Sequence, residues 1–221
     1  MENVTDEVSN PFGMRPPCHH ECAGGHRAVF GYGDANADFH VIGDHPGVHG
    51  GSESGVPFTG DETGERILDV LDAVGMLEAR DPLLPANTFL SYLHCCCLPE
   101  GETPSVEEYA EFERFFDAEL RAIAADVLLP VGERATEHVL TEYTAQSHRI
   151  ALDMARLHGR QIRGRGFLVV PIRDPREWDG EDGADGFESI VADLRALLAT
   201  DYHQMVDLGR FLPGGDPYMV R

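Results

Sequence analysis

Residues 38–60 read DFHVIGDHPGVHGGSESGVPFTG, and this stretch is the part of the sequence that decides the fold. It opens with a short apolar run over 39–42, which predicts a buried strand. The strand ends at Gly43, and the glycines that follow allow the backbone of a loop to approach a ligand closely. Apolar residues then recur at helical spacing over 64–76. The sequence therefore predicts a strand, a binding loop and a helix in succession.

Strands and helices alternate along the rest of the chain. The further predicted strands are 88–93, 127–131 and 167–172. The further predicted helices are 105–125 with Ser105 as its N-cap, one from Glu133 onward, and 187–198. This alternation is typical of an α/β fold with a mostly parallel central sheet and helices on both faces. A chain of 221 residues fits one such domain, which we expect to span 28–199.

The two ends of the chain differ from this domain. Residues 1–27 contain prolines, histidines and cysteines without periodicity, which predicts an arm held by something other than a hydrophobic core. Residues 200–221 form a tail without clear periodicity. No apolar stretch is long enough to span a membrane, and the first residues are acidic rather than signal-like. We therefore expect a monomeric cytoplasmic protein that does not associate with membranes.

The chain is strongly acidic, with a formal net charge of −22, and its 17 basic residues are all arginine. Such a surface usually argues against a nucleic-acid partner, because phosphate binding depends on cationic contacts. An acidic surface is also expected of cytosolic proteins that work in molar salt, where the Debye length is only about 3 Å. We favour this second interpretation, a salt-adapted protein, over a dedicated binder of basic partners.

Five cysteines occur in two short groups, Cys18 with Cys22 and the run Cys95, Cys96 and Cys97. An odd number of clustered cysteines in a cytosolic protein favours metal or cluster binding over a disulfide framework. Thiolates suit either an iron–sulfur cluster or zinc. His19 or His20 is available to complete a ligand shell, and thiols that bind no metal are the alternative.

The stretch from Gly43 to Gly60 resembles the first active-site motif of the uracil-DNA glycosylase superfamily, in the branch whose members carry an iron–sulfur cluster. The shared features are an acidic residue in a Gly-acidic-x-Pro-Gly loop and a later Pro-Phe-x-Gly step. The order of cysteines, strands and helices over about residues 18–199 is similar as well. The resemblance implies an enzyme that excises uracil or another deaminated base from DNA. It also implies a [4Fe–4S] cluster, with zinc as the alternative.

The resemblance assigns roles to residues of the first motif. Asp44 stands where the family has an acidic residue that orients water or stabilises the positive charge developing on the sugar. Phe58 matches the aromatic residue that stacks on the flipped base. The backbone of the loop from Gly43 through His45 and Gly47 is expected to contact the base or a phosphate.

Three features depart from the family pattern. The asparagine that reads the edge of uracil is replaced by Ser91 or Tyr92, the nearest asparagine being Asn87. The histidine of the second motif, which stabilises the departing base, is replaced by Asp174.

In place of this histidine, we expect Arg173, His158 or His148 to supply the positive charge that offsets the departing base.

The third departure concerns the cluster. The fourth cluster cysteine, expected on the helix that follows the third cysteine, is replaced by Phe112.

Arg160, Arg163 and Arg165 form the densest basic patch of the chain. They precede the last predicted strand, and we expect them near the ligand-binding end of the sheet, where they contact DNA phosphates. Ordinary surface arginines paired with local acidic residues are the alternative. For the whole protein, the alternatives are a catalytically silent family member that binds nucleic acid or a nucleobase-like ligand, and a metal-dependent structural or redox-responsive protein.

Overall fold

A seven-stranded sheet forms the centre of the computed structural model, which describes residues 7–146, 148–178 and 186–203. The strands along the chain are β1 (Glu7–Ser9), β2 (Tyr32–Asp34), β3 (Phe39–Gly43), β4 (Leu77–Arg80), β5 (Leu83–Pro85), β6 (Thr88–Tyr92), β7 (Val127–Pro130), β8 (Ile162–Arg163) and β9 (Leu168–Val169). β4 and β5 form a separate antiparallel hairpin, and the other strands make the main sheet.

The main sheet has the strand order β1-β2-β6-β3-β7-β9-β8. Its four central strands are parallel, whereas β1, β2 and β8 join the edges in antiparallel fashion. β3 lies in the middle with all five of its residues buried, which explains its continuous apolar character. The expectation of a mostly parallel α/β sheet is confirmed.

The helices are α1 (Pro46–His49), α2 (Glu62–Ala73), α3 (Val106–Ile123), α4 (Gly132–Tyr143), α5 (Met154–Leu157) and α6 (Gly186–Leu198). A short 3-10 helix spans Pro175–Glu177. The start of α3 is specified locally, because Ser105 and Glu108 form a capping box in which each accepts a backbone N–H of the other. Asp61 caps α2 by accepting the N–H of Thr63 at 2.8 Å.

The helices cover both faces of the sheet. Val41 of β3 belongs to one core, which it shares with apolar residues of α2 and α6. The next residue, Ile42, belongs to the other core, which contains apolar residues of α3 and α4. Successive side chains of a strand point to opposite faces, so a single buried strand supports both layers. The expectation of helices on both faces is confirmed as well.

Several short elements were not foreseen in the sequence. The segment expected to be an irregular arm contributes β1. The strand predicted over 167–172 is shorter than expected: it forms β9, which pairs with β8, and beyond β9 only an isolated bridge joins Val131 to Ile172. The division into arm, domain and tail stays a prediction, and residues 204–221 of the tail lie outside the described part. Among the described residues, no helix is both long and apolar enough to cross a membrane.

Candidate active site

A cavity of about 280 Å³ opens at the carboxyl end of the parallel strands. The loop after β3, the first turn of α4 and the segment after β9 form its walls, because parallel strands deliver their following loops to one edge of the sheet. The lining residues are Asp44, Val48, His49, Val131, Gly132, Glu133, Arg134, Met154, Asp174, Arg176 and Glu177.

Asp44 is the first residue after β3, and its side chain is only 18% exposed. The hydroxyl of Tyr109 on α3 donates to its Oδ1, and Nε of Arg134 lies 3.9 Å from its Oδ2. The guanidinium of Arg134 also sits over the ring of Tyr109, 4.5 Å from the centroid. Burial raises the pKa of Asp44 above its usual value, and Tyr109 and Arg134 offset only part of this rise. A partly desolvated carboxylate thus faces the cavity.

His49, the last residue of α1, is 1% exposed and lines the same cavity. The backbone N–H of Asp44 donates to its Nδ1 at 3.0 Å. Burial lowers the pKa of His49 to about 4, so the ring is neutral at physiological pH. A neutral ring that accepts at Nδ1 carries its proton on Nε2. This buried Nε2 has no hydrogen-bond partner among the described residues.

The glycines expected to bring backbone near the ligand have different surroundings. Gly43 is buried, and a Cβ at this position would lie 2.7 Å from the ring of Tyr92 and 2.9 Å from Nδ1 of His49. Gly47 is exposed and donates its N–H to Nδ1 of His45 at 3.2 Å. His45 is itself buried, and burial lowers its pKa to about 4. Because a Cβ at position 43 would come too close to Nδ1 of His49, a glycine is needed there for the close packing of His49 against the strand.

Tyr92 and Phe58 hold the first-motif loop in place. The hydroxyl of Tyr92 accepts the N–H of Phe58 at 2.7 Å and donates toward the carbonyls of His49 and Gly50 at 2.9 and 3.0 Å. Phe58 is fully buried, with a left-handed φ of 65° that is strained for a bulky residue. Its ring packs against those of Tyr92 and His49, with centroids 5.2 and 5.6 Å apart. Phe58 thus lies behind His49 rather than on the cavity wall, and base stacking stays a prediction.

Ser91 and Asn87 make contacts away from the cavity. The hydroxyl of Ser91 lies 2.7 Å from Nε2 of the buried His40, in the core on the α3 side of the sheet. Asn87 lies at the amino end of β6 and binds both the backbone and the side chain of Asp38. The structure therefore brings neither side chain to the cavity, because β6 directs Tyr92 toward the loop and Ser91 to the opposite face.

The segment after β9 presents a charge pair to the cavity. Asp174 caps the 3-10 helix by accepting the N–H of Arg176, and its carboxylate also binds the Arg176 guanidinium at 2.6 Å. Burial alone would raise the pKa of Asp174, but the hydrogen bonds and charge of Arg176 bring it below its usual value. Arg173 is buried, and its carbonyl accepts the indole N–H of Trp178. In this segment Arg176, rather than the expected Arg173, lines the cavity.

His158 and His148 do not supply a free donor at this edge. Nδ1 of His158 accepts the N–H of Arg173 at 2.9 Å, and its Nε2 lies 2.8 Å from the carbonyl of Gly186. Both ring nitrogens are thus occupied by backbone groups. His148 is exposed in the connection between α4 and α5.

The three arginines of the basic patch are exposed but are not gathered at the cavity. β8 runs antiparallel to β9, with Arg163 opposite Leu168, so Arg163 and the following turn with Arg165 point toward the amino end of the parallel strands. Arg160 precedes β8 and lies toward the ligand-binding edge. The expected common position is wrong because the reversal at β8 was not recognised in the sequence.

The five cysteines converge where the arm meets the segment after β6. Cys18 is joined to Cys96 and Cys22 to Cys97 as disulfides, and Cys95 is free. The Sγ atoms of Cys18, Cys95 and Cys96 lie within 4.8 Å of one another. The run Cys95–Cys97 lies in irregular backbone after the end of β6. In their reduced form these thiols are a donor set that fits a metal or cluster.

Phe112 occupies the position expected for a fourth cysteine. It is 4% exposed and forms a small core with Ala28, Cys95 and Cys96. Its ring also packs on His94 with centroids 4.2 Å apart. The residue thus lies beside the thiols, as expected from the family pattern, but contributes an apolar surface instead of a ligand.

Two charged cavity residues, and a tyrosine that contacts Asp44, were not foreseen in the sequence. Arg134 lies in the first turn of α4, and its position soon after a predicted parallel strand could have identified it. Arg176 lies two residues beyond the expected Asp174 and reaches the cavity through the 3-10 helix. Tyr109 belongs to an amphipathic helix whose sequence carries no signal for contact with Asp44.

Comparisons with known proteins agree with this architecture. The chain is 26% identical over 178 residues to the type-5 uracil-DNA glycosylase of Pyrobaculum aerophilum, which covers 78% of this chain and 76% of that relative. The protein of the same name from Thermus thermophilus is 30% identical over 123 residues, which cover 53% of this chain and 56% of that relative. The one from Mycobacterium leprae is 28% identical over 122 residues, which cover 52% of this chain and 53% of that relative.

A sequence model of the Uracil DNA glycosylase superfamily matches residues 30–195, which include every strand and helix around the cavity. The matched range begins just before β2 and ends within α6, so it contains the whole parallel sheet. The chain therefore belongs to the uracil-DNA glycosylase superfamily.

Proposed function

We propose that this protein excises uracil from DNA by hydrolysing the N-glycosidic bond, with Asp44 as a catalytic residue. Family membership and the type-5 relatives support the reaction class. The observation that carries the proposal is the placement of Asp44, a shielded carboxylate that faces a cavity at the ligand-binding edge of the sheet.

The dimensions of the cavity suit a single flipped base. Its volume of about 280 Å³ is close to the lower end of small-molecule pockets, which begin at roughly 300 Å³. Enzymes that act on a base in DNA extrude the nucleotide from the stack and enclose it in such a pocket. Val48 and Met154 provide apolar surface, and the remaining walls are mostly polar or charged.

Asp44 either orients the attacking water or stabilises the positive charge that develops on the sugar. Both roles require the ionised carboxylate, which Tyr109 and Arg134 hold in one position. The sugar enters from the open side of the cavity. A charge at a fixed position in a partly desolvated site stabilises the transition state more strongly than the same charge in water.

Phe58 and Tyr92 maintain the shape of the base pocket in this proposal. Tyr92 ties the loop to the end of β6, and Phe58 supports the ring of His49 from behind. Direct stacking of Phe58 on the base requires the loop to move when the nucleotide enters. Contact of the His45 and Gly47 backbone with the base or a phosphate also requires such a movement, because neither residue lines the cavity.

DNA is the proposed macromolecular partner, bound by a monomer. Arg134 and Arg176 are 52% and 63% exposed at the cavity and are suited to contact the phosphates that flank the flipped nucleotide. Arg160 extends this surface toward the ligand-binding edge, whereas Arg163 and Arg165 lie toward the opposite edge of the sheet and would contact DNA phosphates farther from the flipped nucleotide. The acidic character of the chain predicts that binding in low salt is weak and localised to these arginines.

A [4Fe–4S] cluster or a zinc ion is proposed for the cysteine site. The residues that would hold it come from the set Cys18, Cys22, Cys95, Cys96 and Cys97. His94, whose Nδ1 is buried without a partner among the described residues, lies next to them. The bound group would cross-link the arm to the segment after β6. Iron and zinc analysis of anaerobically purified protein tests this, because iron with visible absorption supports the cluster and zinc alone supports the alternative.

The second candidate function is a catalytically silent family member that binds a nucleobase. The ion pair of Asp174 with Arg176 favours it, because a carboxylate stands where the family has a histidine that stabilises the departing base. This candidate predicts binding of uracil-containing DNA without release of uracil.

Base release from oligonucleotides that contain uracil, hypoxanthine or xanthine separates the two functions. The assay is run from low salt to molar potassium chloride, with the Asp44→Asn variant in parallel. Release of uracil that Asp44→Asn abolishes supports the enzyme. Binding without release from any substrate, by protein shown to be folded, supports the silent member and contradicts the proposed reaction.

A further inference from the structure

We propose that His49 donates a hydrogen bond from Nε2 to the departing base and so takes over the task of the histidine missing from the second motif. The inference rests on the proposed excision reaction. It assigns to a residue of the first-motif loop the stabilisation of negative charge.

The first argument is the unused donor. His49 is 1% exposed, lines the cavity, and has an Nε2 without a hydrogen-bond partner in the described part of the chain. A buried polar group left unpaired destabilises a protein, so one that faces a cavity calls for an explanation. A ligand atom in the cavity is therefore the natural partner of this N–H.

The second argument is the fixed tautomer. The backbone N–H of Asp44 donates to Nδ1 of His49, and a neutral imidazole that accepts at Nδ1 must donate at Nε2. Burial favours the neutral ring and lowers the pKa of His49 to about 4. The donor is thus available throughout the physiological pH range.

The third argument is the rigid support of the ring. The rings of Phe58 and Tyr92 pack against His49 at centroid distances of 5.6 and 6.3 Å, and Tyr92 also holds the carbonyl of His49. The close approach of Gly43 leaves no room for the ring to shift toward the strand. A donor held this firmly stabilises developing charge without rearranging during the reaction.

Other histidines of the described chain fit the role less well. Both nitrogens of His158 are occupied by backbone groups, and His148 is exposed. His45 has an unpartnered Nε2 but lies outside the cavity wall, and His94 lies at the cysteine site.

The chemistry is balanced as follows. The bond between the sugar C1′ and the base nitrogen breaks, and its electron pair leaves with the base, where the negative charge spreads onto the carbonyl oxygens. The Nε2–H of His49 donates to one of these oxygens without transferring its proton. Water adds to C1′ and releases a proton to Asp44 or solvent, and the departed base anion takes up a proton from solvent, which yields the free base and an abasic site.

Two substitutions separate the donor role of Nε2 from the hydrogen bond that Nδ1 accepts from the Asp44 N–H. Asn places an amide group at the distance of Nδ1 from the backbone, so His49→Asn retains the contact with the Asp44 N–H but lacks the distal donor. Gln extends its amide to the distance of Nε2, so His49→Gln retains a donor. His138→Gln is the matched control, since His138 also has an unpartnered Nε2 but lines a different, smaller cavity.

The experiment is single-turnover release of uracil and of 5-fluorouracil from matched oligonucleotides. The 5-fluorouracil anion is more stable than the uracil anion, so its departure depends less on a hydrogen bond from the protein. Loss of the donor should therefore slow release of 5-fluorouracil less than release of uracil. We expect His49→Asn to slow release of uracil about a hundredfold. The fold decrease in the rate of 5-fluorouracil release should be smaller than that for uracil by roughly tenfold. His49→Gln should lie between His49→Asn and the unchanged protein, and His138→Gln should leave both rates unchanged.

Equal losses on the two substrates, or uracil release by His49→Asn at the rate of the unchanged protein, would overturn the inference while leaving the excision reaction intact. If the unchanged protein releases neither base, the proposed function fails first and the inference with it. Thermal melting checks that each variant is folded. Should His49→Asn melt early, the ratio of the two substrates for His49→Gln decides the question in the same way.

Discussion

The loop after β3 and the segment after β9 meet at one cavity, but they use their polar groups differently. In the first, Nε2 of His49 is left without a partner in the described chain, and the pKa of Asp44 is raised by burial. In the second, the cavity-lining Asp174 is paired with Arg176, and the buried Nε of Arg173, which has no partner in the described chain, lies off the cavity wall. Unpaired groups are available to a substrate, whereas paired groups stabilise the fold.

This contrast suggests that the chemistry of this protein is concentrated in the first loop. The second segment supplies a wall and a cation, and the neighbouring His158 binds its backbone instead of a substrate. Substitutions in the first loop should therefore alter the reaction, and substitutions in the second should alter stability or binding.

The largest expected effect is that of Asp44→Asn on catalysis. Replacing the carboxylate with an amide keeps an acceptor for the Tyr109 hydroxyl but removes the charge, so we expect excision to fall roughly a thousandfold. Single-turnover base release measures the effect, and a gel-shift assay checks that binding persists. Asp72→Asn, on the exposed face of α2, is the matched control. Near-normal excision by Asp44→Asn would remove the first loop from the chemistry.

The pH dependence of the rate provides the next test. Excision requires ionised Asp44, whose pKa is raised from 3.8 by burial, so the rate should decline as the pH falls through this raised value. The decline should approach about tenfold per pH unit below the raised pKa. The acid limb should disappear in Asp44→Asn. An acid limb that persists unchanged in the variant would assign it to another group.

Loss of His158 should affect stability more than chemistry. His158→Ala leaves the N–H of Arg173 and the carbonyl of Gly186 without their partner, and each unsatisfied buried group destabilises by about 1–3 kcal/mol. Denaturant unfolding measures this change. Excision per folded molecule should change far less than in the His49 variants. A selective loss of catalysis with unaltered stability would show that His158, or the segment whose backbone it binds, takes part in the reaction.

Breaking the pair in the second segment should have a smaller effect. Arg176→Gln removes the cation from Asp174, but the arginine is 63% exposed and such pairs contribute about 1 kcal/mol or less. We expect a loss of DNA affinity of about fivefold, greatest at low salt. Titration of labelled DNA at two salt concentrations measures it. A large loss of the chemical step instead would make Arg176 the stabiliser of the departing base.

The smallest expected effect is a gain of stability in Asp44→Asn. The folded pKa of Asp44 exceeds the unfolded one, so its contribution to stability is fully present below pH 3.8 and is lost as the pH rises through the raised value. At neutral pH the ionised side chain therefore opposes folding. Asp44→Asn should melt slightly higher than the unchanged protein at pH 7, with a difference that shrinks in acid. A lower melting temperature at pH 7 would contradict this.

The sequence was a good guide wherever the signal was local. β3 was foreseen from its apolar run, and the start of α3 from Ser105, because both depend on residues close together in the chain. β8 was not foreseen, since two residues carry no periodicity and their pairing with β9 depends on a turn. For the same reason the positions of Arg163 and Arg165 were wrong.

The site shows the same division between local and tertiary signals. The order of motif residues identified Asp44 and Asp174 as candidates, and both line the cavity. The contact of Tyr109 with Asp44 joins residues 65 positions apart, and no local pattern predicts it. The face toward which Ser91 points follows from the register of β6 against β3, which the sequence leaves undetermined.

The attachment of the arm has a consequence for the order of synthesis. Cys18 and Cys22 find their partners 78 and 75 residues later in the chain. At a translation rate of roughly 5–20 residues per second, the arm leaves the ribosome about 4–15 s before the residues that hold it. During this interval the thiols of the arm have no partner within the chain. The site that joins the two cysteine groups can therefore form only after β6 has been synthesised.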